Sequence, residues 1–175
     1  MPDRDLLPGV ELETDLGTWQ VYETPGHAPS HVVLHQPERG LLLSGDHLLG
    51  RVSLYYDYGY SPDPAGEFLN SLDVVDGLDI QLILAGHGRP VRDAHTLVAA
   101  NKREVGERLE RVRSALADGP RTPYEVVPAT LNSDGLHPRM LGWALTETLC
   151  YLRHLEQLGD AREVEDAEPA LWAAA

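Results

Sequence analysis

The sequence predicts an α/β protein in which a β-rich module precedes a helical one, and three observations carry that reading. Short leucine- and valine-rich segments alternate with Pro-Gly turn chemistry through the first half. Apolar residues recur at helical spacing through the second half. Charge divides at the same place: residues 1–93 hold five basic and fifteen acidic groups, whereas residues 94–175 hold nine and thirteen. The expected domains are therefore 1–93 and 94–175.

In the first module, residues 19–24, 31–35 and 41–45 read as strands, separated by Pro25-Gly26 and by the turn from Pro37 to Gly40. Residues 80–86 read as a further strand, so uniformly apolar that both faces are expected to be buried. Between them Asp63 is placed as the N-cap of a helix with Pro64 in its first turn, Phe68, Leu69, Leu72 and Val75 on one face, and Gly77 at its end.

In the second module, Val98, Val105, Leu109, Val112 and Leu116 form one helical face, with Glu104/Arg108 and Glu107/Arg111 expected as i,i+4 pairs on the opposite one. Gly119-Pro120 stops that helix, and Thr122-Pro123 starts a short one that reaches about Leu131. His137-Pro138 opens a longer helix with Leu141, Leu145, Leu149, Leu152 and Leu155 along one face, closed by Gly159. Residues 161–172 form two short strands around Glu168-Pro169. Helix, short helix, longer helix and ribbon is a winged-helix order.

Composition narrows the function classes. With 42% apolar residues the chain can build a core, and a lone Cys150 makes no internal disulfide. The sequence has no basic-then-apolar leader and no apolar run of membrane-spanning length, so a soluble, cytoplasmic protein is expected. A formal net charge of −14 repels nucleic-acid backbones and anionic lipid, and residues 94–159 balance at eight basic and eight acidic groups. A nucleic-acid partner is disfavoured.

Chemistry gathers at the ends of the first module's strands. His27 follows Thr24-Pro25-Gly26, Asp46 follows Leu43-Ser44-Gly45, and His87 follows Leu84-Ala85-Gly86 and precedes Gly88. Each is an imidazole or carboxylate presented beyond a glycine that lets the backbone turn closely. Taken singly each is an ordinary turn residue; together they are the N/O donor set that suits zinc or another divalent ion. His31 stands beside the first of these motifs, where it lines the pocket, orients a ligand or serves as a plain strand histidine. His35, His95 and His154 read as surface or helix residues. Tyr55, Tyr56, Tyr58 and Tyr60 crowd one loop, with substrate binding and simple packing as its two readings.

These residues resemble a known family. Thr24-Pro25-Gly26-His27-Ala28-Pro29-Ser30-His31, Leu43-Ser44-Gly45-Asp46-His47 and Leu84-Ala85-Gly86-His87-Gly88 look like the third, fourth and fifth metal motifs of the metallo-β-lactamase superfamily, spaced by 19 and 41 residues. The resemblance implies the C-terminal part of an αββα sandwich followed by the winged-helix-like tail of the lactamase-B-like, glyoxalase-II-like branch. It further implies a hydrolase in which a metal-bound hydroxide attacks an ester, a thioester or a related bond. His27 would bind the first of two zinc ions, Asp46 would bridge both and act as the catalytic carboxylate, and His87 would bind the second. Tyr55, Tyr56, Tyr58, Tyr60 and His31 would face the substrate. The family's His-x-His-x-Asp-His signature is absent, since no two of the eight histidines are spaced His-x-His. The resemblance thus implies a C-terminal portion with one zinc ion or none. A second copy of the chain, or a complementing N-terminal segment, is the expected partner. The rival expectation is a non-catalytic relative or a winged-helix regulatory module.

Overall fold

The sheet of the first unit is a four-strand antiparallel meander with a fifth strand added in parallel. It comprises β1 (Glu11–Thr14), β2 (Gly17–Glu23), β3 (Val32–Gln36), β4 (Leu41–Gly45) and β5 (Leu82–Ala85), in that spatial order. The computed structural model describes residues 5–57, 59–132 and 137–175. By internal contacts these fall into two units, Met1–Ser53 with Glu67–Lys102, and Leu54–Gly66 with Arg103–Ala175. The boundary expected at 93/94 coincides with the start of helix α2 (Ala94–Leu116), but the units exchange inside that helix, after Lys102. Nothing in residues 94–116 caps or breaks a helix there, so the backbone runs on through the exchange.

Register sorts the sheet into two faces. His35, Leu42 and Ile83 stand opposite one another on one face, and all three are buried. The other face carries the row Val21, Leu34, Leu43 and Leu84, with Leu12, Trp19, Leu41 and Leu82 beside it. There the burial is incomplete: Leu12, Leu34, Leu41, Leu82 and Leu84 are half-buried and Leu43 is 36% exposed. This corrects the expectation for the strand at 80–86, which is shorter than predicted and buried only at Ile83. Its uniform apolarity marks a second face that is apolar without being covered.

Helix α1 (Pro64–Asp76) joins β4 to β5, as a parallel pair requires a crossover. Asp63 caps it as predicted, its Oδ1 accepting the Gly66 N–H at 2.9 Å. Phe68, Leu72 and Val75 are fully buried. Strand β1 was not predicted, because Glu11-Leu12-Glu13-Thr14 offers one apolar residue and owes its strand form to pairing with β2.

In the second unit the later part of α2 is followed by α3 (Pro123–Leu131), α4 (Leu141–Leu158) and the antiparallel pair β6 (Ala161–Glu163) and β7 (Trp172–Ala174). Thr122 and Glu125 form a reciprocal capping box at the start of α3. Val105, Leu109, Val112 and Leu116 are buried as expected, but the opposite face of α2 is not wholly solvated. Arg108 is buried, and its guanidinium donates to Glu104, to fully buried Glu147 and to Tyr151 Oη. Arg111 donates to the carbonyls of Ala129 and Thr130 near the C-terminus of α3. The buried face of α4 runs through Ala144, Thr148, Tyr151, Leu152 and Leu155, rotated from the leucine stripe read in the sequence, whose first three members are half-buried. His154 and His35 are also buried rather than superficial. Among the described residues no helix is long and apolar enough to cross a membrane.

Candidate metal centre

Strand direction brings the three donor loops to one end of the sheet. Because β4 and β5 are parallel, Asp46 and His87 leave the sheet from neighbouring carboxyl ends, and the antiparallel β2–β3 connection that carries His27 turns at the same end. Asp46 Oδ2 lies 3.8 Å from His27 Nε2 and 3.5 Å from His87 Nε2. The Gly86 N–H donates to the Gly45 carbonyl at 2.7 Å, tying the two strand ends together. A Cβ at Gly86 would collide with Asp46 Oδ1, so glycine there leaves the carboxylate its place.

The environments of the three groups differ. His27 and Asp46 are partly covered, with side chains 26% and 29% exposed, whereas the His87 side chain is 79% exposed. His27 Nδ1 lies 3.0 Å from the Ser53 carbonyl. A carbonyl only accepts, so Nδ1 carries a proton, and in the neutral imidazole Nε2, the nitrogen facing Asp46, is the one that holds the lone pair. The loop is closed at its base by Thr24 and His31, whose backbones bond at 2.8 Å and whose side chains bond at 2.9 Å.

Two further histidines support the centre from beneath. His31 lies under Gly45, where an added Cβ would come within 2.7 Å of His31 Nε2. Burial first, and then neighbouring His27, pushes His31 below the ordinary histidine value against the opposing pull of Asp46. His47, directly after Asp46, is buried between the rings of His31 and Phe68. Burial and then His31 push it down to about 3, with the Ser71 backbone opposing, although neither ring nitrogen makes a hydrogen bond of good geometry. In both, the shift favours the neutral imidazole.

His27, Asp46 and His87 are thus brought together, with His31 beside them. Tyr55 and Tyr60 are exposed and Tyr56 is half-buried, all in the second unit, and Tyr58 lies outside the described residues. The sequence reading missed Ser53, which acts through a backbone carbonyl and carries no residue-type signal, and it read Gly86 as a turn glycine, whereas its backbone is not at positive φ and its missing side chain leaves room for Asp46. Among the described residues no three or more of His, Cys, Asp and Glu are placed to close around one metal ion. What is present is a carboxylate oxygen facing two imidazole nitrogens, one with its lone pair fixed. That donor chemistry fits zinc as part of a ligand set.

Comparison with known proteins bears on the family and the fold. Residues 2–87 match the family model described as the metallo-beta-lactamase superfamily. A probable metallo-hydrolase of Bacillus subtilis (strain 168) is 29% identical over 160 residues, covering 88% of this chain and 47% of that protein. An atrochrysone carboxyl ACP thioesterase of Aspergillus chevalieri is 27% identical over 121 residues, or 67% of this chain and 37% of that protein. The crystal structure of a beta-lactamase domain protein from Burkholderia ambifaria superposes with a TM-score of 0.89 at 30% identity, covering 98% of this chain and 52% of that one. The chain spans about half the length of these relatives or less. With three strand-end motifs at one end of the matching sheet, residues 2–87 place this chain in the metallo-beta-lactamase superfamily.

Proposed function

We propose that this chain carries part of the centre of a divalent-metal hydrolase acting on small esters or thioesters. The observation that carries the reading is the convergence of Asp46 Oδ2 with His27 Nε2 and His87 Nε2 at the carboxyl ends of the sheet. A bound divalent ion lowers the pKa of water toward neutrality and polarises a carbonyl oxygen. His27 and His87 would supply the imidazole donors, and Asp46 the carboxylate between them. Ser53 holds the His27 tautomer, and Gly86 leaves the Asp46 carboxylate room at its station. Zinc is the metal this N/O set suits best, with other divalent ions as competitors. A thioester substrate is supported by the name of the Aspergillus relative, which shares 27% of the aligned residues.

The three donors leave the ligand set open, and the apolar sheet face of the first unit is only partly covered. Both features support completion by a complementing segment that brings further ligands and a second sheet, or by a second copy of the chain. Residues 94–175 are read as a winged-helix-like tail, and the even charge balance of residues 94–159 within it favours a structural role over nucleic-acid binding.

The test is zinc uptake by the chain, followed by hydrolysis of an aryl ester and an acyl thioester. Asp46→Ala is expected to abolish zinc uptake and any zinc-dependent turnover. Equal zinc binding by wild type and variant would overturn the assignment, and a salt-dependent shift of DNA without metal would favour the regulatory alternative.

A further inference from the structure

We propose that Ser71 and Phe68 on α1 are positioning residues for the metal centre, clamping the two loops that present His27 and Asp46. The inference rests on the proposed centre and concerns residues that touch none of its donors.

Ser71 is buried on α1, and its hydroxyl donates to the carbonyl of Pro25 at 2.9 Å, 46 residues away in sequence. A helical serine ordinarily turns to solvent or to its own helix; this one binds the strand-end loop two residues before His27. Directly after Pro25, the Gly26 backbone lies against the helix, so that a Cβ there would come within 2.7 Å of Phe68 Cα and 2.9 Å of its nitrogen. Gly26 also has φ +125°, a conformation that side chains rarely adopt. The loop therefore touches α1 at two consecutive residues, once by hydrogen bond and once by close packing.

The same helical turn reaches the second loop. The Phe68 ring meets the edge of the His47 ring, with centroids 5.0 Å apart and planes at 65°. His47 follows Asp46 and is buried, so this contact fixes the chain just past the carboxylate. One turn of α1 thus sets the separation between His27 and Asp46. Removing the Ser71 hydroxyl would take from the Pro25 carbonyl its hydrogen bond to the helix while leaving the Gly26 packing in place.

The experiment compares wild type, Ser71→Ala, His27→Ala and a control, Gln36→Ala. Gln36 is as buried as Ser71 and bonds the Leu16 carbonyl at the far end of the sheet. Long-range proton–nitrogen spectra of the metal-free protein report the His27 tautomer, and chelator competition reports zinc affinity. Wild type is expected to show one Nδ1–H tautomer. Ser71→Ala is expected to show a tautomer mixture and roughly 10–100-fold weaker zinc binding, the usual consequence of losing an outer support. Gln36→Ala is expected to melt earlier with both readouts unchanged. Should Ser71→Ala fail to fold, Ser71→Cys, close in size and a weaker donor, carries the same expectation to a smaller extent.

A Ser71 variant with the wild-type tautomer and wild-type zinc affinity, while His27→Ala binds zinc weakly, would overturn the positioning role and leave the centre standing. Undiminished zinc binding by His27→Ala would overturn the centre, and the inference with it.

Discussion

Asp46 is held in its station by a residue that has no side chain. A methyl group at Gly86 would collide with its Oδ1, and the Gly86 backbone lies outside the left-handed region, so alanine is tolerated by the chain itself and resisted only by the carboxylate. Gly86→Ala is therefore expected to weaken zinc binding by about tenfold or more while the melting temperature moves little, as checked by chelator competition and a thermal melt. Unchanged affinity would show that the carboxylate rotates clear. A second residue-scale pair, Asp63 and His154, lies in the second unit, with His154 Nδ1 2.9 Å and 3.0 Å from the two carboxylate oxygens. Burial raises the Asp63 value, but the hydrogen bonds from His154 and the Gly66 N–H outweigh it and leave the carboxyl below its ordinary range. A lowered folded value means that the stabilisation is complete above the unfolded value and fades as pH falls through the folded one. Asp63→Asn keeps the helix cap and removes the charge, so its stability deficit in urea is expected to be greater at pH 7 than toward pH 3. A deficit independent of pH would contradict this reading. His27, Asp46 and His87 were legible because each is a reactive residue type at a strand end; Ser71, Phe68 and Ser53 were not, because their roles arise from contacts across 21 to 46 residues or from backbone atoms.

At the scale of elements, the helices show where periodicity suffices and where packing overrides it. The face of α2 through Val105, Leu109, Val112 and Leu116 was readable because burial falls at the apolar positions themselves. Arg108 was misplaced, since an i,i+4 Glu-Arg pair looks solvated in sequence, and only the packing of α4 brings fully buried Glu147 to the same guanidinium. For the same reason the buried face of α4 is rotated from its leucines: Glu147, Thr148 and Tyr151 must turn inward to meet polar partners. This network has a measurable consequence. Arg108→Met leaves the Glu147 carboxylate buried opposite an apolar chain and is expected to cost about 3–5 kcal/mol in denaturant unfolding. Adding Glu147→Gln, which removes the buried charge, is expected to recover part of that loss. A single variant within about 0.5 kcal/mol of wild type would show that the pair is solvated in solution.

At the scale of the whole molecule, an apolar sheet face is set against a strongly acidic chain. Leu34, Leu41, Leu43, Leu82 and Leu84 belong to a face that burial leaves unfinished, and complete burial of one such side chain is worth about 1.5–3 kcal/mol. That free energy favours association through the face, whereas a net charge of −14 opposes it by mutual repulsion. The two contributions respond differently to salt, because screening weakens repulsion between chains without weakening apolar burial. Sedimentation velocity is therefore expected to show self-association that grows with protein concentration and strengthens as salt rises from about 0.01 M to 0.5 M, a range over which the Debye length falls severalfold. Leu43, 36% exposed within the central row, is the position at which one charge does most damage. Leu43→Glu is expected to shift the chain toward monomer at every salt concentration without lowering its melting temperature much, since the side chain is already partly in water. A compact wild-type monomer at all concentrations, with no binding of an apolar dye, would mean that the face is closed in solution and that completion by a second sheet is not what this chain requires.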